Sequence, residues 1–85
     1  MKINYWWRKI ERWATENNYE ITALGQWEGY GPALIFKDYN QGPEQGTYLV
    51  GLPVIMNRGN IELANATRHF DRESAEYELS QGVKR

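Results

Sequence analysis

Apolar residues near the start of the chain repeat with the period of an α-helix, and that repeat constrains the fold more than any other feature. Turning about 100° per residue, Trp13, Trp6, Asn17, Ile10, Ile3, Ala14 and Trp7 fall within one arc of about 120°. Asn4, Arg8, Glu11, Arg12, Thr15 and Glu16 all lie outside it. The spacing predicts an amphipathic helix over residues 3–17, with Trp7, Ile10 and Ala14 along its buried stripe. Asn17 and Asn18 close it, because asparagine tolerates the left-handed conformation found at helix ends.

The surface for that helix to cover reads as a sheet. Tyr19 to Leu24 alternates, with Tyr19, Ile21 and Ala23 on one side and Glu20, Thr22 and Leu24 on the other. Gly25 to Pro32 contains three Gly and a Pro and is predicted as a loop. Ala33-Leu34-Ile35-Phe36 is an unbroken apolar run of strand length, expected in a central strand covered at least in part on both faces. Tyr39 to Gly46 is a second Gly/Pro loop, long enough for a wide hairpin connection. Thr47 to Leu52 forms a further strand, interrupted by Gly51 and stopped by Pro53, a residue that belongs at an edge or bulge. Two short apolar segments, Val54–Met56 and Ile61–Leu63, flank the tight-turn sequence Asn57-Arg58-Gly59-Asn60.

Beyond Leu63 two readings compete. Leu63, Thr67, Phe70, Ser74 and Tyr77 fit alternating spacings of three and four, as in one long helix from Asn60. A strand followed by a separate helix is preferred, with Asp71 as N-cap, Glu73 in the first turn and Gly82 closing the helix near Gln81. Val83-Lys84-Arg85 is then a frayed tail. The expected fold class is α+β. One small domain over residues 1–85 would pack its N-terminal helix on an antiparallel sheet of three to five strands and end in a short helix.

Composition fits a small, aromatic-weighted core. Leu, Ile, Val and Phe make up 17 of the 85 residues, at the edge below which chains tend towards disorder. Four Trp and six Tyr add bulky core material, and a net charge of −1 leaves little self-repulsion. The lack of cysteine excludes a disulfide framework, a thiol nucleophile and thiolate metal sites. No apolar run approaches the roughly 18–20 residues of a membrane span, and the first residues are too polar for a signal peptide, so a cytoplasmic protein with no membrane contact is expected. Charge is uneven along the chain. Residues 1–18 carry net +2 and residues 71–81 net −3, so the two could face each other in one molecule or across a homodimer.

Residues suited to catalysis are few. With one His, two Asp and no Cys, no convergent metal-ligand spacing exists, and no cofactor is expected. His69 with Asp71 or Glu73 is the available acid–base pairing, against the plainer reading of a surface histidine ahead of a helix. The spacing G-x-x-x-G-x-G from Gly25 to Gly31 lacks both the lysine of a P-loop and the order of a dinucleotide fingerprint. In element order, α-β-β-β-α, the chain resembles the double-stranded-RNA-binding domain. The basic cluster that opens the last helix of that family is replaced here by Asp71-Arg72-Glu73-Ser74-Ala75-Glu76, which would repel phosphate, so nucleic acid is disfavoured as a partner.

These readings point to a non-enzymatic domain that binds another protein. Its expected contact surface is Trp27, Glu28 and Tyr30 in the first loop with Tyr39 in the second. Glu73, Glu76 and Glu78 on the last helix would mimic a polyanion towards a basic partner, as in an inhibitor of a nucleic-acid-handling protein. In size and composition the chain is similar to small accessory and inhibitor proteins of bacteriophages and mobile elements. The alternative is a module for a small ligand, nucleotide or nucleic acid, with Trp27 and Tyr30 stacking on it. Both rings could instead fold back over the core.

Overall fold

A computed structural model describes residues 2–82 and, apart from residues 2–4 and Pro43, their side chains. Helix α1 (Lys2–Glu16) is followed by strands β1 (Tyr19–Trp27), β2 (Gly31–Asp38), β3 (Tyr48–Ile55) and β4 (Ile61–His69), and then by helix α2 (Arg72–Gln81). The strands form one antiparallel sheet in the order β1-β2-β3-β4. Asn18 takes the left-handed conformation (φ 59°) just past α1, and the Asn17 side chain donates to the Trp13 carbonyl at 2.8 Å. The fold is α+β, as its sequence predicts. The expected frayed tail, Val83–Arg85, lies outside the described residues.

Strand β2 explains the layering. Its alternation sends Leu34 and Phe36 to one face of the sheet and Ala33 and Ile35 to the other, and all four are buried. On the first face Ile10 and Ala14 of α1 pack with Leu34, Phe36 and Leu49, while Trp6, Trp7 and Trp13 border them half-buried. Trp7 therefore lies beside the buried stripe rather than within it. Trp13 meets Tyr19 and Phe36 edge-on, with centroids 5.4 and 5.5 Å away. On the second face α2 sets Ala75 and Leu79 against Trp27, Ala33, Ile35, Val50 and Leu52. A helix thus covers each face, and the apolar run of β2 is buried from both sides. The basic start and the acidic end accordingly flank opposite faces of one sheet, so they do not face each other within the molecule.

Helix α2 is separate from the strand before it, which settles the competition beyond Leu63. Asp71 is extended (φ −135°, ψ 163°) and its carboxylate accepts the Ser74 amide at 2.8 Å; Gly82 (φ 81°) closes the other end.

Four local expectations need correction. Gly25–Pro32 is not a loop: β1 continues to Trp27, β2 begins at Gly31, and a tight turn over Glu28–Tyr30 joins them. Gly25 pairs with Ala33 inside the sheet. A Cβ there would lie 2.9 Å from Leu79 Cγ, so this glycine lets α2 approach the strand. Strand β3 likewise continues through Pro53 to Ile55, because pairing with β2 ends at Gly51 and leaves the proline segment paired only to β4. Strand β4 extends from Ile61 to His69, well past Leu63. Finally, the alternation of β1 breaks at a bulge between Ile21 and Ala23, so Tyr19 and Ile21 pack on the α1 side and Ala23 on the α2 side.

Candidate functional site

Helix α2 packs against all four strands, and Asn65, Thr67 and His69 on the face of β4 beside it stay only half-buried. Between α2 and β4 runs a groove of about 890 Å3. Strand β4 contributes Asn65, Thr67 and His69, spaced by two so that they share one face. Helix α2 contributes Glu73, Ser74, Tyr77, Glu78 and Gln81, and Trp27 with Gly82 closes the end of the groove. A second bulge shapes this wall. Two steps along β3, from Val50 to Leu52, oppose three along β4, from Thr67 to Ala64, and Asn65 adopts the left-handed conformation (φ 54°).

Three polar side chains of the groove lining meet one another. The Thr67 hydroxyl donates to Glu78 Oε1, and His69 Nε2 lies 2.5 Å from the same oxygen. A carboxylate only accepts, so the Nε2 position carries the proton. Thr67 Oγ1 is also 3.3 Å from that nitrogen. The arrangement differs from a nucleophile–base relay, in which a carboxylate holds one imidazole nitrogen and the other receives the hydroxyl proton. Here carboxylate and hydroxyl share Nε2. The cluster works as a clasp between β4 and α2. His69 thus pairs with Glu78, in place of the expected Asp71 or Glu73. Asp71 is committed to its cap, and its carboxyl is held below the usual value by the Ser74 backbone and side chain, with a smaller contribution from the His69 charge.

The sequence-derived contact residues divide among several places. Trp27 is 2% exposed; it packs under α2, and its indole N–H donates to the Leu79 carbonyl at 2.9 Å. The ring covers the core and is not a free surface anchor, which corrects that expectation. Tyr30, 58% exposed, and Glu28 occupy the β1–β2 turn. Tyr39 is exposed at the opposite end of β2, about 23 Å away along the strand. Its hydroxyl donates to Glu20 Oε1 at 2.5 Å, and that bond to a carboxylate raises the phenol above its usual value. The two turns therefore do not form one surface. Glu76 pairs with Arg72 at 2.9 Å on the exposed side of α2. Glu73 and Glu78 both line the groove. Asn65, Thr67, Tyr77 and Gln81 were not singled out from the sequence, although Glu73, Tyr77 and Gln81 follow a spacing of four and would have marked one helix face.

A smaller groove of about 440 Å3 lies between α1 and the β3–β4 turn, where Lys9 and Arg12 are balanced by Glu16 and Glu62. Among the described residues no group of three His, Asp or Glu could hold a metal ion, and no helix is long and apolar enough to cross a membrane. No family model, no curated protein and no solved structure matches this chain.

Proposed function

We propose that this chain is a non-enzymatic protein-binding module whose contact surface is the groove between α2 and β4. The observation that carries this reading is the open groove itself, with Tyr77 standing 67% exposed at its rim beside Glu73. Large aromatics at a surface depression are typical anchors of protein interfaces. The wiring of Thr67, His69 and Glu78 supports binding over catalysis, because the imidazole nitrogen nearest the hydroxyl is already engaged. A domain of this size that blocks a partner suits an accessory or inhibitor protein, and the lack of cysteine suits the cytoplasm. A second reading, a small-ligand site, draws on the groove volume, which falls within the roughly 300–1,000 Å3 of ligand pockets.

Photo-crosslinking in the host cell separates these readings. A crosslinking residue placed at Tyr77 in the full chain is expected to capture one protein, and the same residue at Tyr30 none. Capture from Tyr30 alone would move the surface to the β1–β2 turn. Failure at both positions, with a small molecule retained on purification, would favour the ligand reading.

A further inference from the structure

The chemistry of the groove narrows what can occupy it. Its lining carboxylates are Glu73 and Glu78, and no Lys or Arg lines it among the described residues. Anionic partners are repelled there, and the smaller groove beside α1 has balanced charge and favours neither sign. The acidic side chains of α2 are not equally available. Glu76 is held by Arg72, and Glu78 by His69 and Thr67. Glu73 forms no ion pair among the described residues and lies one helical turn from the exposed ring of Tyr77. Side chains four apart on a helix are neighbours, about 5–6 Å apart at Cβ. From Glu73 to Gln81 the helical wall runs about 12 Å, the length of roughly four extended residues.

We propose that the groove receives an extended, arginine-bearing segment of the partner protein, with one guanidinium between the Glu73 carboxylate and the Tyr77 ring. This rests on the groove being the docking surface. Arginine suits the position better than lysine because its planar guanidinium pairs with a carboxylate through two hydrogen bonds while its face lies on an aromatic ring.

The test is an NMR titration of the full chain with short peptides that differ only in their central residues: Arg, Lys, Glu or neutral Gln. Spermidine serves as a small polyamine control. The arginine peptide is expected to shift the amides of Asn65–His69 and Glu73–Gly82, and to bind more tightly than the other three peptides and spermidine. Glu73→Gln and Tyr77→Ala should each weaken it about two- to fivefold, the range for exposed ion pairs and cation–π contacts. Arg12→Ala should leave it unchanged. Equal binding of the glutamine peptide in the groove would overturn the arginine assignment while keeping the groove as a docking surface. Equal binding of spermidine would overturn the assignment to a protein segment. If the arginine peptide produces no shifts in the groove, the assignment falls; if crosslinking also occurs only from Tyr30, the docking surface falls with it.

Discussion

At the scale of single residues, the buried charge among the described residues is Asp38, at the end of β2. It is 2% exposed, yet its carboxylate is fully partnered. Arg68 donates to Oδ2 at 2.9 Å, while the Asn40 backbone and side chain each donate to Oδ1 at 2.8 Å. Arg68 also reaches the Gly46 carbonyl, and Asn40 reaches the Asn17 carbonyl, so one cluster ties the end of α1 to the β2–β3 loop. Burial pushes the carboxyl up, but these hydrogen bonds and the Arg68 charge outweigh it and hold the group below its usual value. The fold therefore favours the ionised form. That contribution is fully present above the ordinary carboxyl value of about 3.9 and is lost as pH falls through the lowered value. Urea unfolding should show Asp38→Asn costing about 1–3 kcal/mol at neutral pH, with the difference from wild type shrinking on acidification below about pH 4. A difference independent of pH would show that the charge does not matter.

At the scale of elements, Gly25 separates a loop from a strand. In a loop, Gly25→Ala would be neutral or stabilising by about 0.4–1 kcal/mol, since it restricts the unfolded chain. In the structure the new methyl group would press on Leu79, whose Cγ and Cδ1 lie 2.9 and 3.1 Å from the Cβ position. The expected result is destabilisation by about 1–3 kcal/mol, read by chemical denaturation. The elements most legible in the sequence are those whose signals are local. Helix α1 follows from its own periodicity, and α2 from the cap at Asp71 and the glycine at position 82. Strand β4 was legible only as far as Leu63, because Asn65 and Ala66 interrupt the alternation at the bulge. The candidate site suffered for that reason. With the strand cut short, Thr67 and His69 had no face to share, and Glu78 had no partner to predict.

At the scale of the whole molecule, β2 and β3 each supply residues to both cores: Leu34 and Leu49 to one, Ile35 and Val50 to the other. Neither face can be lost without exposing the strands that support its opposite, so the two helices should unfold together. The four tryptophans report on this separately, since Trp6, Trp7 and Trp13 border the α1 core while Trp27 belongs to the α2 core. Fluorine NMR of fluorotryptophan-labelled protein in a urea series should give one midpoint for all four signals. An earlier transition at Trp27 would mean that α2 detaches as an independent unit.

The sequence by itself determined the amphipathic first helix, the apolar run Ala33–Phe36 as a strand covered on both faces, and the α+β class; it offered the cap at Asp71 and the glycine at position 82 as the ends of the last helix, and the structure chose them over one long helix from Asn60. Each is decided by residues close together in the chain, through periodicity, capping or an unbroken apolar segment. Only the tertiary structure decided that Gly25 lies in a strand, that Trp27 is covered and that Glu78 meets His69. The first two depend on Leu79, whose carbonyl receives the Trp27 indole across 52 positions of sequence. A glycine that makes room for a distant leucine looks, in one dimension, the same as a glycine that makes a turn. The placement of α2 also opened the groove, since burying Ala75 and Leu79 over the central strands left the outer face of Asn65, Thr67 and His69 only partly covered.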